Sequence, residues 1–186
     1  MEKRQINSEF KTDNRTVEGY ATVFNSPSEN IGFIEIIHKG AITDETIKNS
    51  DVLAKFNHND DKVLARSKKG EGSLLLEVDE KGLRYMFESP NTALGDELLE
   101  YLNRGDITSS SFAFTVPKID GAERWYKKDG IIHRDIYIID KLYDVSPVFQ
   151  PAYEGTTCSK RFNEISKQAE EVDKIMNLYK EEIELL

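Results

Sequence analysis

Arg104-Gly105-Asp106-Ile107-Thr108-Ser109-Ser110-Ser111-Phe112-Ala113-Phe114 is the stretch on which the fold turns, because it hands a helix directly to a strand. Upstream, Leu94, Leu98, Leu99 and Leu102 recur at helical spacing, Thr92 supplies an N-cap, and Gly105 can close the helix as a left-handed residue. Downstream, strand alternation puts Phe112, Phe114 and Val116 on one face and Ser111, Ala113 and Thr115 on the other, so Ser111 faces away from the aromatic side. Further out, residues 17–24 read as a strand ended by the turn formers Asn25-Ser26-Pro27-Ser28. Residues 73–78 and 83–88 read as a hairpin joined by Asp79-Glu80-Lys81-Gly82, with Gly82 expected at a positive φ. Residues 131–139 and 142–149 read as two more strands, the second stopped by Pro147 and Pro151, which cannot donate to a ladder. The pattern predicts an α+β fold: a barrel-like, mostly antiparallel β-sheet with flanking helices.

Three chemically distinct groups fall in and around this frame. Ser111 offers a hydroxyl, His58 an imidazole at the end of the apolar run 52–56, and Asp144 a carboxylate. A nucleophilic serine needs a base to take its proton and a third group to hold that base in the right tautomer. In the Ser109-Ser110-Ser111 run, Ser111 ranks first as nucleophile and Ser110 second, although Ser109 shares the Ser111 face. Asp144 alternates with Tyr143 and Val145, so its carboxylate leaves their face for the side of Leu142 and Ser146. His38 reads as structural, and Asp60-Asp61 as solvated acids without the spaced oxygen ligands of a calcium loop. Arg66 and Arg134 are candidates for holding water or substrate, or are ion-pair partners, the commoner fate of an arginine.

Short motifs in fixed order then point to a family. They are Val17-Glu18-Gly19-Tyr20-Ala21 with Phe24-Asn25, Phe56-Asn57-His58, Val63-Leu64-Ala65-Arg66, Gly82-Leu83, Arg104-Gly105-Asp106-Ile107, Ser111-Phe112-Ala113-Phe114, Asp144-Val145-Ser146-Pro147-Val148, and Pro151-Ala152-Tyr153 followed by Thr156. The chain resembles the prohead maturation proteases of tailed bacteriophages over most of its length. That resemblance implies a serine endopeptidase that cleaves the scaffolding segments of an immature capsid, and often itself, before genome packaging. It implies the major capsid protein or its scaffolding segment as partner and substrate, and a location inside the prohead in the host cytoplasm. It implies Ser111, His58 and Asp144 as the catalytic set, on a fold similar to the herpesvirus capsid protease. A second histidine orients the first in that relative, which makes His133 the alternative third member. Asn59 stands where an aspartate is common, Ala65 where a glycine is common, and Asp144 where a glutamate is frequent. The competing readings are a non-catalytic capsid assembly module that keeps the fold, and a cysteine hydrolase built on Cys158, which has no activating neighbour in sequence.

Composition sets the bounds. With 186 residues, 38% hydrophobic and 32% charged, the chain holds one core of ordinary size plus an appendage. A net charge of −9 argues against coating phosphate, so no direct nucleic-acid binding is expected. A single cysteine excludes an internal disulfide, and no ligand cluster suggests a metal or other cofactor. Met1-Glu2-Lys3-Arg4 leads into polar residues, so neither a signal peptide nor a membrane span is expected.

After Tyr153 the pattern changes. Phe162, Ile165, Ala169, Val172, Met176, Tyr179, Ile183 and Leu186 recur in steps of three and four, the seam of an amphipathic or coiled-coil helix. The domains expected are a protease domain over 1–157 and a helical tail over 158–186, jointed at the polar stretch 155–160. The tail would serve self-association or scaffold contact.

Overall fold

A computed structural model of the chain describes residues 1–7, 10–13 and 15–149; the expected joint and C-terminal helix lie outside them. In chain order the elements are β1 (Glu2–Asn7), β2 (Lys11–Asp13), β3 (Thr16–Val23), β4 (Ile34–Ile37), α1 (Asp44–Lys48), β5 (Asp51–Lys55), β6 (Val63–Lys68), β7 (Glu71–Gly72), β8 (Leu74–Val78), β9 (Gly82–Glu88), α2 (Ala93–Arg104), β10 (Ser109–Thr115), β11 (Glu123–Lys128), β12 (Ile131–Ile136) and β13 (Lys141–Val148). The strands form three sheets, ordered β1-β10-β13-β5-β6-β7, β11-β12-β4 and β2-β3-β9-β8.

The helix-to-strand handover is as the sequence predicts. The Thr92 hydroxyl accepts from the Gly95 N–H, and Gly105 ends α2 at φ 75 with its N–H bonded back to Leu102. The 73–88 hairpin is present, with Asp79 Oδ1 accepting from the N–H groups of Lys81 and Gly82. Pairing is mostly antiparallel; the parallel pairs are β13 with β5 and β12 with β4.

Four expectations are corrected. The sheets do not close into a barrel: β1 and β7 remain the outer strands of the six-stranded sheet. Alternation fixes which face a side chain takes but not which strands become neighbours, so closure was not encoded in the pattern read. Gly82 does not take a positive φ; a Cβ there would lie 1.9 Å from the Thr22 carbonyl oxygen, so glycine is required by the close approach of β9 to β3. Pro147 sits inside β13 instead of ending it, opposite Ser110. Its carbonyl accepts from the Asn57 N–H at 3.0 Å, so its missing N–H would point to that same side, where the ladder with β5 has already ended at Val145. Finally, β12 ends at Ile136, and the Ile139 N–H bonds to Ala41 instead of continuing a strand.

The core lies where the sheets face one another. Val17, Leu83, Tyr85, Phe87, Phe112, Phe114, Leu98 and Ile107 are buried there, each large apolar side chain contributing about 1.5–3 kcal/mol on burial. The Phe112 and Phe114 rings stack at 4.8 Å on one face of β10, which leaves the other face to Ser111. A buried ion network ties β1 to the β11-β12-β4 sheet. Arg134 donates to Glu2, Glu35 at 2.9 Å and Glu123 at 2.6 Å, while Arg4 donates to Glu35 at 2.6 Å and Glu2 at 2.8 Å. Burial acts to weaken the Arg134 proton, but the surrounding carboxylates outweigh it and hold the guanidinium charged beyond its ordinary range. Among the described residues no helix is long and apolar enough to cross a membrane.

Candidate active site

Ser111 stands at the centre of β10, with Gln5 of β1 opposite on one side and Ser146 of β13 opposite on the other. Two residues along β13 from Ser146, and so on the same face, comes Asp144, which is opposite Ala113. β5 runs parallel to β13 at Asp144 and Val145, and the chain leaving β5 turns back over this face. That turn carries His58. It is pinned by Phe56 N–H to Lys62 O at 2.9 Å, Asn59 N–H to Phe56 O at 3.1 Å and Asn57 N–H to Pro147 O at 3.0 Å. Asn57 and His58 both take left-handed φ values, 54 and 57, a conformation that costs a non-glycine residue about 1–2 kcal/mol and is held here by the turn bonds.

The result is a hydrogen-bonded line. His58 Nε2 lies 2.5 Å from Ser111 Oγ, and His58 Nδ1 lies 2.8 Å from Asp144 Oδ1. Ser146 Oγ donates to the same Asp144 oxygen at 3.0 Å and stands 3.3 Å from His58 Nδ1. Asp144 is fully buried, whereas the His58 side chain keeps 17% of its surface. Burial alone pushes the Asp144 carboxyl up. The bond and charge of His58, the Lys55 ammonium and the Ser146 hydroxyl together outweigh it and hold the group below the ordinary carboxylate range. A carboxylate bonded to Nδ1 fixes the N–H there and leaves Nε2 as an acceptor facing the serine O–H.

The structure therefore brings Ser111, His58 and Asp144 together. It does not bring His133 to them: His133 lies in β12, opposite Ile34 and Tyr126, stacked on the Tyr126 ring at 5.1 Å. Ser110 points the other way, its hydroxyl 2.8 Å from Tyr85 Oη in the core, and Ser109 is buried. His38 stacks on Tyr137 at 4.5 Å beside Asp135. Arg66 pairs with Asp51 at 2.7 Å on the surface and Arg134 belongs to the buried network, so neither reaches the serine. Asp60, read as simply solvated, is exposed but bonded to Lys55 at 2.7 Å. Among the described residues no group of three His, Cys, Asp or Glu side chains could hold a metal ion. Cys158 lies outside the described residues.

Two contributors escaped the sequence reading. Ser146 could have been found from its two-residue spacing to Asp144 on one strand. Lys55 carried no such signal, since a lysine following Ala54 reads as an outward-facing strand end.

No curated protein and no solved structure matches the chain. Residues 2–174, however, match the family described as caudovirus prohead serine protease. The match takes in the turn that carries His58 and the strands that carry Ser111 and Asp144, and on its extent the chain belongs to the caudovirus prohead serine protease family.

Proposed function

We propose that the protein is a serine endopeptidase of capsid maturation, with Ser111 as nucleophile, His58 as general base and then general acid, and Asp144 as the group that orients the imidazole. The observation that carries this reading is the line from Ser111 Oγ through His58 Nε2 and Nδ1 to Asp144 Oδ1, at 2.5 and 2.8 Å. His58 takes the Ser111 proton as Oγ attacks the scissile carbonyl and returns it to the leaving amine; water then repeats the cycle on the acyl-enzyme. Asp144 remains ionised, because its carboxyl already lies below the ordinary range, and stabilises the imidazolium formed on the way. The substrate, on family grounds, is the major capsid protein or its scaffolding segment inside the immature prohead, with self-cleavage as an accompanying activity. The likeness to the herpesvirus capsid protease belongs to the same proposal.

The test is a fluorophosphonate probe followed by intact mass and peptide mapping. Wild type should carry one adduct on Ser111, and Ser111→Ala should carry none and should leave the capsid-scaffold substrate uncut. An adduct of equal yield on Ser111→Ala would overturn the assignment. The tail over 158–186 is proposed to serve assembly. Deleting residues from 161 onward should leave Ser111 labelling intact while weakening self-association in sedimentation, and loss of labelling would move those residues into the catalytic unit.

A further inference from the structure

We infer that Lys55 is a positioning residue for the Asp144–His58 pair, holding the far oxygen of the carboxylate and setting the pH at which the pair takes up a proton. The inference rests on the catalytic reading above. Lysines are seldom buried, yet Lys55 is 9% exposed. Alternation in β5 puts Lys55 on the face of Leu53, and Leu53 is the register partner of Asp144, so the lysine is carried to the face that bears the carboxylate. Ala54, on the opposite face, is buried in the core, and Lys55 is buried on the carboxylate side.

The Lys55 ammonium lies 3.5 Å from Asp144 Oδ2 and 2.7 Å from Asp60 Oδ1. Asp144 Oδ1 is engaged by His58 and Ser146, while Oδ2 is buried with no hydrogen bond. The Lys55 charge is thus what faces the second oxygen of a carboxylate that has no access to water. A purely structural pair with Asp60 would not require this burial. Asp60 keeps 88% of its side-chain surface, so a lysine could meet it in solvent without losing hydration. Burial of Lys55 is accounted for by Asp144.

The titratable groups acting on Lys55 are Asp144 from β13 and Asp60 from the turn after β5, the turn that also carries His58. Lys3 of β1 acts on Asp60 as a further cation. A cation among them disfavours every protonated form of the pair. It also resists rotation of the carboxylate, which keeps Oδ1 on His58 Nδ1. Removing it should let the pair take up a proton at higher pH.

The experiment follows the second-order rate of Ser111 labelling by a fluorophosphonate from pH 5 to 9 in the full chain. Lys55→Met should move the acid limb to higher pH by about one unit, since an opposite charge within ~4–6 Å of a carboxylate shifts it by that order. Lys55→Arg should restore the wild-type limb. Asp60→Asn, an exposed change that spares the fold, should move the limb to lower pH, because the lysine then faces Asp144 alone; it decides the matter if Lys55→Met does not fold. A Lys55→Met limb within about 0.2 unit of wild type, or an unmoved limb in Asp60→Asn, overturns the inference even where thermal stability falls. If instead wild type is not labelled at Ser111, or Ser111→Ala is labelled equally, the catalytic reading itself fails.

Discussion

Asp144→Asn tests the centre of the site with almost no change in shape. The amide occupies the same volume, but its nitrogen or its neutral oxygen now meets His58 Nδ1. When the amide nitrogen faces the ring, the imidazole proton moves to Nε2 and the acceptor facing Ser111 is lost. The charge is lost as well. At the observed 2.8 Å, a carboxylate and an imidazolium attract by about 6 kcal/mol at an effective dielectric constant near 20. That attraction forms only as the proton moves, so it bears on the barrier and corresponds to about a 10,000-fold loss of rate. Partial compensation by Ser146, 3.3 Å from Nδ1, brings the expected loss to about 1,000- to 10,000-fold. The assay is the second-order rate of Ser111 labelling at pH 7.5, read by intact mass, with a thermal melt on the same sample. A folded variant that labels within about tenfold of wild type refutes the orienting role of Asp144.

The other predictions follow from neighbouring contacts. Ser110→Ala strips the buried Tyr85 hydroxyl of its partner and should cost about 1–3 kcal/mol in urea unfolding while leaving Ser111 labelling unchanged. The Asp144 carboxyl lies below its unfolded value near 3.9, so its stabilising share is complete above that pH and is lost as pH falls through the folded value. The stability gap between wild type and Asp144→Asn should accordingly shrink as pH falls below about 4, whereas a gap that goes on growing there would reverse the sign of the shift. Gly82→Ala drives a Cβ into the Thr22 carbonyl and should lower Tm by at least about 4 °C, while Gly105→Ala, with open space but φ 75, should cost only about 1 kcal/mol. Equal effects at the two glycines would remove the distinction between close approach and left-handed conformation.

Much of the site could be read because its parts lie in short, strongly patterned elements. The two-residue period at Ser111-Phe112-Ala113-Phe114 separates hydroxyl from aromatic faces, and the Thr92 and Gly105 caps bound a helix that is present as read. What failed to show is what depends on strand order and irregular pairing. β1 reads as polar because Glu2 and Arg4 are drawn to half-burial only through a charge network made with Glu35, Glu123 and Arg134, far along the chain. β11 and the five-residue α1 carry too little apolar periodicity to stand out. The burial of Lys55 comes from the pairing of β5 with β13, which sets its face beside Asp144 and which no local periodicity announces. The strand proline misled for a related reason: Pro147 is tolerated because β5 no longer pairs there, a fact about a neighbour that the local sequence does not carry.

The sheet order β1-β10-β13-β5 also sets a clock. Ser111 and His58 are both synthesised before the strand that carries Asp144, and β13 is inserted between their two strands in space. Until residues 141–148 leave the ribosome, β10 has no neighbour on its histidine side and His58 Nδ1 has no carboxylate. At about 5–20 residues per second, translation leaves a gap of roughly two to seven seconds between the serine and the end of β13. On the catalytic reading the nascent chain is inert through that interval, and the nucleophile is armed only when β13 has slotted between β10 and β5.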